Sequence, residues 1–246
     1  MTKALQPGCV FERVEKKYLL SEGQYRELVR RLKPHVQVDD YGLHTICNIS
    51  YDTPGNEMVR RSIEGPKYKE KIRLRSYGVP GPEDTVFLEI KKKWRKVVYK
   101  RRIPLTLTQA GAFMAGGPLP QVEPEDRQIL RELDYCRSFY HPIPKVFIAY
   151  DRIACFGNED PELRMTFDHG IRSREDDLWL GLGDYGKPLL KKEQFLLEIK
   201  VEGAFPLWLV DILSELAIYP TSFSKVGNIY KATHGMEGRT PCLRVS

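Results

Sequence analysis

Lys69, Lys71, Arg73 and Arg75 occupy every second position of one segment, with Ile72 and Leu74 between them. A helix would scatter these residues around its circumference, whereas a strand places i, i+2 and i+4 on one face. The segment therefore reads as a strand with a row of cations on one side and apolar residues on the other.

The same sorting recurs along the chain. Glu89, Lys91 and Lys93 lie opposite Leu88 and Ile90, and Lys100 with Arg102 opposite Ile103. Arg164, Thr166 and Asp168 oppose Leu163, Met165 and Phe167, and Glu198 with Lys200 oppose Leu197, Ile199 and Val201. The first such segment supplies Arg13, Glu15 and Lys17. Period-two segments at about 11–20, 44–52, 67–77, 85–94, 97–103, 144–155, 163–172 and 194–202 predict about eight strands. Helical patterns are expected at Ser21–Lys33, opened by Ser21 as N-cap, and at about 107–115, 124–139 and 206–217, the last with Pro206 in its first turn. Short connections favour antiparallel pairing, and eight strands are enough to close a barrel, so the expected class is α+β, an eight-stranded antiparallel β-barrel with flanking helices.

A polar strand face is ordinarily just solvated. Here cations dominate five or six strands, and like charges opposite one another across a sheet are destabilising. A bound polyanion removes that repulsion, and a few Glu among the cations could hold a divalent metal. The net charge of +6 over 246 residues also points to an anionic partner. Five widely spaced cysteines, Cys9, Cys47, Cys136, Cys155 and Cys242, form no Cys-x-x-Cys pair and read as reduced. Neither a signal peptide nor an apolar run of membrane-spanning length is visible, which makes a cytoplasmic location the expectation, with a role at a membrane surface permitted by the charge. The short Pro/Gly-rich pieces read as loops, so a single domain over 1–246, with a core of about 10–232, is expected.

The ordered set Arg13-x-Glu15-x-Lys17-Tyr18, Lys71-x-Arg73-x-Arg75-Ser76-Tyr77, Glu89-x-Lys91, Lys100-Arg101-Arg102, Tyr150-x-Arg152, Arg164-x-Thr166-Phe167-Asp168, Glu198-x-Lys200 and Ser224-Lys225 resembles the VTC domain. That domain is the polyphosphate polymerase branch of the triphosphate tunnel metalloenzymes, related to the CYTH domains. The resemblance implies a tunnel whose basic lining grips a triphosphate, a Mn2+ or Mg2+ held by carboxylates, and transfer of the ATP γ-phosphate onto a polyphosphate chain. By the same resemblance Lys17, Lys71, Arg73, Arg75, Lys91, Lys100, Arg102, Arg152, Arg164, Lys200 and Lys225 would contact phosphates. Lys71, Arg73 and Glu198 would be catalytic, with Glu198 the leading metal ligand. Glu15 and Glu89 are the next metal candidates, each with an ion pair to a neighbouring cation as its alternative role. Where CYTH signatures open with two glutamates before the lysine, Arg13 takes the first place, which favours the polymerase branch. The family commonly has an aromatic residue after Ser-Lys; Val226 stands here.

Phosphoryl transfer needs positioning and charge stabilisation more than covalent chemistry from the protein. The residues match that demand, and no serine or cysteine has a convincing His/Asp partner. His35, His44, His141, His169 and His234 show no metal-ligand spacing, and no P-loop sequence is present. Two alternatives share the same residues, a triphosphatase that uses water and a polyphosphate-binding module without turnover. An RNA-binding barrel would need aromatics interleaved with the cations, and the charged faces carry few, so no nucleic acid is expected.

Overall fold

A computed structural model describes residues 13–65, 67–95 and 97–235. In chain order its elements are β1 (Arg13–Ser21), α1 (Glu22–Leu32), β2 (Val36–Val38), β3 (His44–Asp52), α2 (Glu57–Glu64), β4 (Tyr68–Tyr77), β5 (Thr85–Trp94), β6 (Val97–Thr106) and α3 (Leu107–Met114). They continue with α4 (Arg127–Tyr140), β7 (Ile143–Gly157), β8 (Arg164–Arg174), β9 (Lys187–Pro188), β10 (Gln194–Glu202), α5 (Leu207–Glu215), β11 (Pro220–Thr221) and α6 (Lys225–Thr233). The α+β class is observed, with antiparallel pairing at each register that is defined. No helix among the described residues is long and apolar enough to cross a membrane.

The chain divides into two compact units. One holds the chain up to Leu43 with Arg152–His169 and Lys191–Ser222; the other holds His44–Asp151, Gly170–Leu190 and the chain from Phe223. In the first, the strand order is β11-β1-β10-β8, and β2 pairs with the end of β7. Its core is built from Tyr18, Leu20, Leu28, Leu32, Phe167, Leu197, Ile199, Leu209 and Leu213. In the second, the order is β7-β3-β4-β5-β6, and β9 pairs with the end of β8. Ile49, Ile72, Leu74, Leu88, Ile90, Ile103, Phe113, Leu133 and Phe147 make up that core. Both cores use the apolar parity of the strands, which leaves the opposite parity to the charged residues.

The ladder differs from the expected eight strands closed on themselves. Among the described residues it holds eleven strands, and its order ends at β11 and β6. The three additional strands, β2, β9 and β11, are two or three residues long, too short to produce a period-two pattern. The eight longer strands match the expected segments closely, although residues 11 and 12 of the first segment lie outside the described residues. Two helices went unexpected. α2 follows Pro54-Gly55, and its N-cap Asn56 sits at φ 59 with no side-chain cap. The buried Asp52 carboxylate takes over that task, accepting from the backbone N–H of Met58 and Val59 at 2.8 Å each. α6 opens at Ser224, whose hydroxyl accepts from Gly227 N at 3.2 Å. Ser21 caps α1 as expected, in a reciprocal capping box with Gln24. Pro206 occupies the N-cap position of α5 rather than its first turn.

Candidate functional site

In the second unit, antiparallel register converts the alternating charges into rows. Lys71, Lys91 and Lys100 stand directly opposite one another across β4, β5 and β6. The next row is Ser50, Arg73, Glu89 and Arg102, and Lys69 faces Lys93 one step the other way. Eight cations, Lys69, Lys71, Arg73, Arg75, Lys91, Lys93, Lys100 and Arg102, thus share a face with the carboxylate of Glu89. The crowding registers in their acid–base behaviour. Burial, then Lys93 and Lys91, holds Lys69 below the usual lysine range. Lys100 is also held down, by burial first and then by Arg75 and Arg73, against the opposing pull of Glu89.

Glu89 is the anchor of this face. Its side chain is 3% exposed, and Arg73 donates to Oε2 through both Nε, at 2.9 Å, and Nη2. Among the described residues Oε1 has no hydrogen bond of good geometry; its charge is met by Lys100 Nζ at 3.2 Å and Arg75 Nε at 3.9 Å. Burial works to raise the carboxyl, but Arg73, Arg75 and Lys100 outweigh it and bring it to about 2. Of the two roles expected for Glu89, the geometry displays the ion pair. Asn48 was missing from the expected site. It accepts from Arg75 Nε at 3.0 Å and donates to the Ile148 carbonyl at 3.2 Å, which orients the guanidinium. Only the register, which sets Asn48 opposite Arg75, could have signalled it. Arg102 is exposed, lies 4.5 Å from the Phe87 ring centroid, and donates weakly to Tyr77 Oη at 3.5 Å. Lys225, the first residue of α6, holds its ammonium 4.3 Å from the Tyr150 ring centroid.

The charged face of the first unit is arranged differently. β1 and β10 set Glu15 opposite Lys200 and Lys17 opposite Glu198, so signs alternate in both directions. Lys200 Nζ lies 2.5 Å from Glu198 Oε1, and Lys17 Nζ lies 3.7 Å from both Glu198 Oε2 and Glu15 Oε1. Burial alone would raise the Glu198 carboxyl, but Lys200, Lys17 and Arg152 hold it below the usual range, so it is ionised. Arg152, on β7, clamps the buried Asp168 of β8 with bonds of 2.6 and 2.9 Å. Thr166 stands opposite Glu198, and its buried hydroxyl oxygen has no hydrogen-bond partner among the described residues. Arg164 is exposed, opposite Lys200. Arg13 lies in β1 opposite Glu202.

Past Asp168 the strand changes face. Gly170 adopts φ 56, and beyond it Arg172 bonds Asp151 at 3.1 Å and Arg174 stacks 3.5 Å from the Phe147 ring centroid. Both partners have the β7 parity opposite to Arg152. The expected charged face of β8 therefore ends at Asp168.

Among the described residues no group of three His, Cys, Asp or Glu side chains forms a ready metal cluster. The donors that do fit a hard divalent cation are oxygens: the ionised Glu198, the unpartnered Thr166 hydroxyl opposite it, and Glu15 on the neighbouring strand. Such a site would rely on substrate phosphates or water to complete its shell, as Mg2+ commonly does. Cys47, Cys136 and Cys155 are free thiols, which burial pushes up to about 11, 12 and 11. Cys9 and Cys242 lie outside the described residues.

The family model of the VTC domain matches residues 12–234. No match emerges among curated protein sequences. Among solved structures, a candidate adenylate cyclase from Bacillus halodurans aligns with TM-score 0.50 and 16% identity, covering 87% of this chain and 95% of its own. A candidate adenylate cyclase from Vibrio parahaemolyticus aligns with TM-score 0.49 and 12% identity, over 89% and 98% of the two chains. A candidate adenylyl cyclase from Hippeastrum, described with a dominant triphosphatase activity, gives TM-score 0.49 and 12% identity over 89% and 96%.

Proposed function

The chain belongs to the VTC domain family, and from that premise we propose that it is a divalent-metal-dependent polyphosphate polymerase, moving the γ-phosphate of ATP onto the end of an inorganic polyphosphate chain. The observation that carries this reading is the in-register row Lys71–Lys91–Lys100 beside Arg73, Arg75 and Arg102. Such a row sets like charges opposite one another, and successive phosphates lying along it would meet a cation at each step. Arg73 and Arg75 enter with their guanidinium planes already fixed by Glu89 and Asn48. They can offer their remaining N–H groups to phosphoryl oxygens without first ordering themselves. Lys71, Lys91 and Lys100 act as point charges that set the register of the chain of phosphates. Lys17, Lys200, Arg152, Arg164 and Lys225 are proposed as further phosphate contacts.

Glu198, with Glu15 and Thr166, would hold a Mn2+ or Mg2+, which would supply positive charge to offset the negative charge on the transferring group. The acceptor is a terminal phosphate oxygen, already ionised near neutral pH, so no general base is needed. ADP leaves as the bond to its β-phosphate oxygen breaks. Lys71 and Arg73 stabilise the equatorial oxygens in that step. A cytoplasmic setting with a membrane-associated partner belongs to the same proposal.

The test is incubation of the purified chain with ATP and Mn2+, following polymer by gel electrophoresis together with free phosphate. Polymer with ADP supports the polymerase. Phosphate without polymer would move the assignment to a triphosphatase, and tight polyphosphate binding with neither product would leave a binding module.

A further inference from the structure

The β5–β6 hairpin carries a feature that phosphate binding does not require. Eight of the twelve residues 91–102 are Lys or Arg and none is acidic; the other four are Trp94, Val97, Val98 and Tyr99. Those four are large apolar groups left in solvent, at 49%, 51%, 46% and 52% exposure, and Tyr68 beside them is 39% exposed. Isolated exposed apolar residues need no explanation, but here they gather at one end of one hairpin. Trp94 pairs with Val97 across the turn and with Tyr68 on β4, whose ring meets the indole edge-on at 6.0 Å.

The cations divide between the base and the tip. Toward the base, Glu132 takes Lys92 at 3.1 Å and also Arg101, while Glu89 takes Lys100 at 3.2 Å. Nearer the turn stand Lys93, opposite Val98, and Arg95, whose guanidinium lies 5.8 Å from the Trp94 ring centroid. By register Trp94, Val97 and Tyr99 share one face of the hairpin with Tyr68, and Val98 lies on the other with Lys93; a tip with apolar groups on both faces among Lys and Arg matches the demands of a bilayer interface. Aromatic rings settle at headgroup depth, aliphatic groups enter the acyl boundary, and cations remain among anionic headgroups.

We propose that the tip of the β5–β6 hairpin, Trp94, Val97, Val98 and Tyr99 with Lys93 and Arg95, docks this chain on an anionic phospholipid surface. Charge complementarity selects that occupant. Val97 and Val98 offer no stacking surface to a nucleobase, and Tyr68 already covers one edge of Trp94, which disfavours RNA. β6 ends the strand order, but its edge carries Lys100, Arg101 and Arg102, so a second copy would bring like charges together.

The experiment is co-sedimentation of the full chain with phosphatidylcholine vesicles, with and without about 30% phosphatidylserine, at about 0.1 M salt. The expected result is binding only to the anionic vesicles. Trp94→Ser combined with Val97→Ser should lower the partition coefficient at least about tenfold, while Trp94→Phe, which keeps an apolar ring, should stay within about threefold of the parent. Polyphosphate synthesis in solution should be unchanged in both variants, which also reports that they are folded. The proposal is overturned by any of three results. The first is a parent that ignores anionic vesicles; the second is a double variant that binds them as the parent does, which would assign the attraction to the cationic strand face. The third is loss, by the same substitutions, of binding to an RNA homopolymer or of self-association on gel filtration with vesicle binding left intact.

Discussion

The two charged faces use the same residue types to opposite ends. On β1 and β10, Glu15, Lys17, Glu198 and Lys200 alternate in sign along and across the strands, so each cation has a carboxylate beside it. On β4, β5 and β6 the cations stand opposite one another, and Glu89, buried, is shared among Arg73, Arg75 and Lys100. The first arrangement neutralises itself and presents ionised oxygens suited to a metal. The second gathers like charges on one face, the arrangement that the proposed polyanion would bridge. Composition alone does not separate a binding surface from a solvated one; the sign of the cross-strand neighbour does.

The contrast is sharpened most by Glu198→Gln. Removing the carboxylate should lower turnover about a thousandfold if it holds the divalent ion, yet leave polyphosphate affinity within a few fold, because the cationic rows are intact. Steady-state kinetics alongside equilibrium binding of a tripolyphosphate reports both; a parallel loss of the two would break the division of labour.

The next largest effect falls on stability. Glu89→Gln strips the buried countercharge from Arg73 and Arg75 and should destabilise the free protein by roughly 3 kcal/mol, measured by urea unfolding. Tripolyphosphate should restore much of that loss, since it supplies the missing negative charge. The pH dependence follows from the same group. With its carboxyl moved from 4.5 to about 2 in the folded state, Glu89 contributes stability that is complete above pH 4.5 and is lost as pH falls toward 2. The parent should show that acid loss, on the order of 3 kcal/mol, and Glu89→Gln should not.

A smaller change is expected from Lys91→Ala, which removes the middle of the lysine row. Affinity for tripolyphosphate should fall about tenfold, with a shallower salt dependence, by titration calorimetry at several salt concentrations. An unchanged affinity would show that the row is only a solvated face. The smallest effect belongs to the self-neutralised face. The Lys17–Glu198 contact is 3.7 Å long with Lys17 29% exposed, so a double-mutant cycle should give a coupling below about 1 kcal/mol to stability.

Much of this was legible in the sequence because strand parity is a local property. The alternation at 68–77, 85–94 and 194–202 fixed which residues share a face before any pairing was known, and Ser21 with Gln24 announced the start of α1. What escaped did so for equally physical reasons. α2 has its capping carboxylate at Asp52, outside the usual N-cap position, so the local signal was absent. The change of face on β8 depends on Gly170 adopting a positive φ, which the residue permits but does not demand.

The sequence by itself therefore determined the eight long strands, their charged and apolar parities, and the family, since these follow from spacing along the chain. Tertiary structure alone decided the row Lys71–Lys91–Lys100, the burial of Glu89 among three cations, the Asn48 hold on Arg75, and the unpartnered hydroxyl of Thr166 opposite Glu198. Each depends on which residue of one strand meets which residue of the next. That register is set by turn geometry and by the fit of two apolar cores, and no single segment contains it.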